Sequence, residues 1–262
     1  MKKLLVLLSA SGVAALSAQA QVSLTGSPYT QNFDTLANSG TANTWTDNTT
    51  IAGWYAGTSG TFSGTYRADI GSSTTGAIYS YGSSAATDRA LGSVASGTTG
   101  TLAYGVRLQN NTGGMIGNLN LSYTGEQWRN GGNATAQTLS LTYRISSGPI
   151  TSSDAAGTQS WTSYASLNFT SPTTGATAAA LDGNNAANHT FISATLTGIT
   201  LNAGDEIFFR WVDLNDAGND HGLAVDDFTL SYDPVAVPEP STFALLGVGA
   251  MAGMFVLVRR KK

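Results

Sequence analysis

Carboxylates are the side chains best placed to do chemistry in this 262-residue chain, and they crowd toward one end. Asp205, Glu206, Asp213, Asp216, Asp220, Asp226, Asp227 and Asp233 follow one another with Arg210 as the only basic residue among them. So many like charges repel unless they face water or share a cation. Hard oxygen ligands, the absence of cysteine and only two histidines, His189 and His221, favour Ca²⁺ over zinc as that cation. Asp226 has the parity of Phe228, Leu230 and Tyr232, so a regular strand would aim it at the core, where a lone carboxylate is costly without a partner. A cation, backbone N–H donors at a turn or bulge, or Arg210 would each meet that need. The run Asp213-x-Asn215-Asp216-x-x-Asn219-Asp220 lacks the spacing and terminal glutamate of an EF-hand and reads as a solvated connection.

Catalysis finds less support than binding. A Ser-His-Asp arrangement can be written with Asp220 or Asp226, but no Gly-x-Ser-x-Gly elbow accompanies it. A glycosidase needs two carboxylates across a cleft, and only Glu126 and Glu206 are glutamates between the two chain ends. The most ligand-like segment is Tyr123-Thr124-Gly125-Glu126-Gln127-Trp128-Arg129, where Trp128 and Glu126 could stack on a sugar and bond its hydroxyls, or mark a hairpin end with a half-buried ring. Trp45, Trp54, Tyr55, Tyr66, Trp161 and Tyr164 also lie outside the cleanly alternating segments and either plug the ends of a sandwich or bind. The expectation is a non-enzymatic protein.

These residues must be carried by strands. Leu102, Tyr104, Val106 and Leu108 alternate with small or polar residues, as do Leu139, Leu141, Tyr143 and Ile145, a period of two. The same rhythm runs through Leu119–Tyr123, Ile207–Trp211 and Phe228–Tyr232, and more weakly through Val22–Leu24, Ala77–Tyr81, Tyr164–Phe169 and Phe191–Leu196. Gly and Asn clusters at Asn110–Gly114 and Asn130–Asn133 supply tight turns. Many short strands without βαβ spacing predict one all-β domain over 21–233, an antiparallel β-sandwich. Residues 21–237 hold 15 acidic against 6 basic residues, which argues against nucleic-acid binding.

Both ends read as addresses. Lys2 and Lys3, an apolar run from Leu4 and the Ala18-Gln19-Ala20 cleavage pattern predict a signal peptide over 1–20 and hence export. Residues 241–258 are uncharged and apolar enough for a transmembrane helix of about 27 Å. Arg259, Arg260, Lys261 and Lys262 form a basic tail, 259–262, held on the cytoplasmic side. The linker 234–240 contains Pro238-Glu239-Pro240, whose prolines keep the chain extended ahead of the helix. Pro-Glu-Pro, an apolar helix and a basic end in that order resemble the PEP-CTERM sorting signal of Gram-negative bacteria. The resemblance implies that an exosortase-type membrane peptidase recognises Pro238, Glu239 and Pro240. Secretion machinery and signal peptidase act earlier. The protein is anchored transiently in the inner membrane and then passes to the envelope, the surface or an extracellular matrix. It would serve there as a structural protein or, alternatively, as a non-catalytic carbohydrate- or exopolysaccharide-binding module.

The body is similar to the jelly-roll sandwich of secreted carbohydrate-binding modules, through Gln31-Asn32-Phe33-Asp34, Ala203-Gly204-Asp205 and Gly222-Leu223-Ala224-Val225-Asp226-Asp227-Phe228. In such modules a structural calcium often joins the first strand to the last. The resemblance therefore implies a Ca²⁺ site using Asn32 or Asp34 with Asp226 or Asp227.

Overall fold

The computed structural model describes residues 21–26 and 28–234. The expected signal peptide, the sorting residues Pro238, Glu239 and Pro240, the apolar segment 241–258 and Arg259 and Arg260 lie outside these residues. Among the described residues no helix is long and apolar enough to cross a membrane.

The strands are β1 (Val22–Leu24), β2 (Tyr29–Gln31), β3 (Asn43–Thr44), β4 (Trp54–Thr58), β5 (Thr65–Asp69), β6 (Ala77–Tyr81), β7 (Ala90–Val94) and β8 (Leu102–Asn110). They continue as β9 (Ile116–Asn130), β10 (Thr138–Ser146), β11 (Thr162–Ser163), β12 (Phe169–Thr170), β13 (Ala179–Ala180), β14 (His189–Leu196), β15 (Glu206–Asp213) and β16 (Gly222–Pro234). One sheet runs β1-β8-β15-β10-β11, with β4 also on β8 and β12 also on β10. The other runs β13-β9-β16-β7-β6-β5-β3, with β14 also on β9 and β2 also on β16. The result is an all-β, jelly-roll-like sandwich: the alternating pattern implies the sandwich, and the resemblance its jelly-roll form.

The periodic segments become the long strands because each has an apolar row to bury. Leu102, Tyr104, Val106 and Leu108 of β8 meet Ile207, Phe209 and Trp211 of β15 and Leu223, Val225, Phe228 and Leu230 of β16 in one core. Its centre is aromatic: Trp54 stacks on Trp211 with centroids 5.9 Å apart, and Phe228 meets both rings edge-on. The Trp54 Nε1–H donates to the Tyr29 hydroxyl at 2.9 Å, which satisfies a buried donor and draws β2 over the core.

Two expectations need correction. The pairing is not wholly antiparallel, since β1 runs parallel to β8 and β5 parallel to β6. Tyr164–Phe169 is no continuous strand: Ala165–Leu167 is a short 3₁₀ turn, and only Phe169 and Thr170 pair with β10. The turn allows the Leu167 carbonyl to accept from the buried Tyr123 hydroxyl at 2.7 Å while the Tyr164 hydroxyl reaches the Thr195 carbonyl.

Candidate functional site

Of the acids singled out in the sequence, Asp226 and Asp227 stand where β16 is bulged, whereas Glu206 pairs with Arg107 in the other sheet and Asp213 accepts from the Ser93 hydroxyl. The register of β16 against β9 is Leu223↔Gln127, Ala224↔Glu126, Val225↔Gly125 and Asp226↔Thr124, and then shifts so that Thr229 opposes Ser122. Asp227 takes up the extra residue with φ +49°, a left-handed conformation that Asp tolerates better than most residues. The bulge reverses parity. Leu223 and Val225 face the core on one side of it, and Phe228 and Leu230 on the other. Asp226 thus stands with Ala224 and Glu126 on the outer face of the sheet, not toward the core as its parity with Phe228 predicts. Its Oδ1 accepts from the Asp227 N–H at 2.7 Å, the bulge donor that was one of the alternatives for it. Arg210 is not its partner: that guanidinium lies 3.8 Å from an Asp154 oxygen and 3.8 Å above the Trp161 ring.

Asp226 is 4 % exposed and Glu126 3 %. Burial, with the neighbouring Glu126 carboxylate adding to it, pushes the Asp226 carboxyl up to about 9. Burial also raises Glu126, to about 7. The Trp128 Nε1–H bond opposes that rise, and the charges of Asp88, Asp227 and Asp182 add to it. Asp227 is raised by burial and by Asp88 and Asp34. This ring of acids, Asp34, Asp88, Glu126, Asp182 and the pair Asp226–Asp227, comes from five separate segments of the chain. Asp34 arrives because β2 pairs with β16, Gln31 opposite Phe228.

The four residues expected to hold calcium are therefore neighbours in the fold, but Asn32, Asp34 and Asp226 already spend polar atoms on hydrogen bonds. Asn32 Nδ2 donates to Asp34 Oδ2 at 2.6 Å, and Asp34 Oδ1 accepts from the Arg89 backbone N–H at 3.1 Å. Among the described residues no three His, Asp or Glu side chains form a group that could hold a metal ion.

Trp128 lies on the same outer face and is 2 % exposed. Its ring stacks on Tyr81 with centroids 6.0 Å apart, and Tyr81 stacks on Tyr79 at 4.8 Å. Its Nε1–H donates to Glu126 Oε2 at 2.7 Å. Gly92 on β7 lets Tyr81 lie flat, because a Cβ there would meet the Tyr81 ring at 2.8 Å. The loop 181–188 closes over the other side of Trp128: Leu181 N–H donates to the Trp128 carbonyl, and Gln127 N–H to that of Asn188. A Cβ at Gly183 would sit 2.3 Å from Trp128 Nε1. The pair expected to receive a sugar is thus a closed unit in which Glu126 satisfies the tryptophan and no ring face is open. Trp45, Trp54, Tyr55 and Tyr66 are likewise buried, whereas Trp161 and Tyr164 are partly exposed.

The histidines do not assemble with a nucleophile. His221 is fully buried and its Nδ1 accepts from the Gly131 N–H at 2.9 Å, while His189 Nδ1 lies 3.3 Å from the Gly183 carbonyl.

Beyond the bulge the same outer face is open. Phe191 on β14 is 68 % exposed and borders a shallow groove of 490 Å³ between β14, β9 and β16. The sequence reading passed over it, although two adjacent apolar residues, Phe191 and Ile192, cannot both face the core of a strand. Ile192 shares parity with Ala194 and Leu196 and packs on the core, which leaves Phe191 outside.

Residues 236–261 match the family described as the PEP-CTERM protein-sorting motif. The chain carries this sorting signal and, with it, the function of an exported, sorted protein. No curated protein matches the chain. Solved structures similar in fold include the K2 cleaved adhesin domain of Lys-gingipain, at 13% identity and TM-score 0.39, covering 78% of this chain and 97% of that one. The K3 cleaved adhesin domain of Lys-gingipain from Porphyromonas gingivalis w83 has 14% identity and TM-score 0.36, covering 71% and 95%. TmCBM61, solved with beta-1,4-galactotriose, has 8% identity and TM-score 0.26, covering 57% and 74%. At such scores these likenesses assign no activity.

Proposed function

We propose that the chain is the precursor of a non-catalytic, structural protein of the cell surface or extracellular matrix, released from the inner membrane by an exosortase-type peptidase acting at Pro238-Glu239-Pro240. The observation that carries this reading is the sorting motif at 236–261, which begins two residues after the last strand ends at Pro234. In this reading signal peptidase removes 1–20, residues 241–258 hold the body at the membrane, and Arg259 and Arg260 stay on the cytoplasmic side. Replacing Pro238, Glu239 and Pro240 by Ala in the expressing bacterium tests it. Full-mass protein minus the signal peptide is expected to accumulate in the inner-membrane fraction, while the parent yields a shortened body at the surface or in the medium. Identical masses and fractions for both would overturn it.

Calcium at the junction of first and last strands belongs to the same proposal. The pairing of β2 with β16 supports it by bringing Asn32 and Asp34 to the Asp226–Asp227 bulge. Binding would require these side chains to exchange their present local hydrogen bonds for the ion. Such a site would act as a clasp and supply no reaction chemistry.

A further inference from the structure

The outer face of β14, β9 and β16 beyond the bulge carries rows of small polar side chains around an exposed ring. Register places Ser193, Ser122 and Thr229 in one row across the three strands, and Thr195, Asn120 and Ser231 in the next. Neighbours within a row are therefore about 4.8 Å apart. Thr195 Oγ1 donates to Asn120 Oδ1 at 2.7 Å. The hydroxyls of Ser122, Ser193, Thr229 and Ser231 make no hydrogen bond to any described residue, so both donor and acceptor capacity is unspent. Phe191, opposite Thr124, stands at the head of these rows as an exposed ring.

No charged side chain lines this groove, in a body with a large excess of acids. A polycation or polyanion would therefore find no counter-charge at the contact. A protein partner would want a contiguous apolar core, and one ring among hydroxyls does not offer it. A polymer that presents apolar ring faces and neutral hydroxyls matches both features: the ring stacks, and hydroxyls that both donate and accept meet their like. We propose that this face binds a neutral polysaccharide, with Phe191 as the stacking platform and the Ser122 and Asn120 rows as the hydroxyl-binding floor. The proposal goes beyond the sorting reading, since a chain that was never sorted would still present this surface.

Native electrophoresis of the full-length protein in mild detergent, through gels containing soluble β-glucan, galactan, mannan, xylan or the polyanion alginate, tests it. At least one neutral polymer is expected to retard the protein. Phe191→Ala should weaken that retardation roughly tenfold, the scale of one lost aromatic contact, and Phe191→Tyr should preserve it. Ser122→Arg, which puts a long charged side chain across the floor, should abolish it. Because Phe191 is exposed, an unchanged melting temperature is expected to accompany the loss. Retardation by none of the neutral polymers, retardation by alginate alone, or retardation indifferent to both Phe191→Ala and Ser122→Arg would each overturn the proposal. So would neutral polymers without effect on a protein that Phe191→Ala converts from dimer to monomer, which would give the face to a second copy.

Discussion

Asp226 and Glu126 place two carboxyls where burial holds them protonated at neutral pH or near it, and Asp213 adds a third. It is buried against Ser93, whose hydroxyl donates to it at 2.7 Å, and burial raises it to about 7. For an acid whose folded pKa lies above its unfolded value, the native state binds the extra proton. Stability is then lost as pH rises from the unfolded value, near 4, through the folded one. Each group costs up to about 1.4 kcal/mol per pH unit inside its window, which ends near pH 7 for Glu126 and Asp213 and near 9 for Asp226. Urea midpoints should therefore fall from pH 5 to pH 9, the reverse of ordinary acid denaturation. Asp226→Asn, which keeps an acceptor for the Asp227 N–H, should flatten the upper part of that slope and gain about 1–3 kcal/mol at pH 8. Millimolar Ca²⁺ at pH 8 is expected to raise the parent's midpoint and leave Asp226→Asn unmoved. Equal midpoints in Ca²⁺ and EDTA would remove the calcium clasp, and a midpoint rising with pH would remove the buried acids.

At the scale of elements, the loop 181–188 is a cover held by a few backbone bonds, and Gly183 is its point of closest approach. Gly183→Ala puts a methyl group against the Trp128 indole and should lift the loop at a cost of about 1–3 kcal/mol. Acrylamide quenching of the Trp128 emission, taken by difference from Trp128→Phe, should increase in that variant; unchanged quenching would show that the loop is no cover. The strands that position this unit were unequally legible. β8 and β10 announce themselves because one face is apolar and the other is not, and β15 because Ile207, Phe209 and Trp211 alternate with Glu206 and Arg210, although Phe208 on its other face is buried as well. β7 is buried at every position, Ala90–Val94, so its sequence has no period to read. The bulge was hidden for a different reason: alternation after Phe228 extrapolates backward to Asp226, and only the tertiary pairing with β9 reveals the inserted residue. Trp128 looked available because its neighbours are polar, yet its cover comes from residues more than 50 positions later. Phe191 was legible from local parity alone.

For the whole molecule, the sheet register fixes the end of the sandwich from which the chain leaves toward the proposed membrane segment 241–258. β1 enters beside the end of β8, Leu24 opposite Asn110, and β16 leaves beside the start of β9, Pro234 opposite Ile116. Residues 111–115 join these two places, so entry and exit share one end of the sandwich. The opposite end is marked by Asp213 opposite Leu102, about 27 Å away along β8. From Pro234 to residue 241 the tether reaches at most about 25 Å. With 241–258 holding the precursor as proposed, that length would permit tilting but keep this end nearer the bilayer on average. The chain has no cysteine, so single thiols report cleanly. Met115 is 38 % exposed at the tethered end and Leu214 51 % exposed at the far one. In an uncleaved precursor with Pro238, Glu239 and Pro240 replaced by Ala and reconstituted in liposomes, a fluorophore at Met115→Cys should be quenched by nitroxide lipids more strongly than one at Leu214→Cys. On that outcome the far end, with its cleft bordered by Ser96, Arg129 and Asp220, is directed away from the membrane. Equal quenching would mean that residues 241–258 do not hold the body by this end, and stronger quenching at Leu214→Cys would invert the arrangement that the register requires.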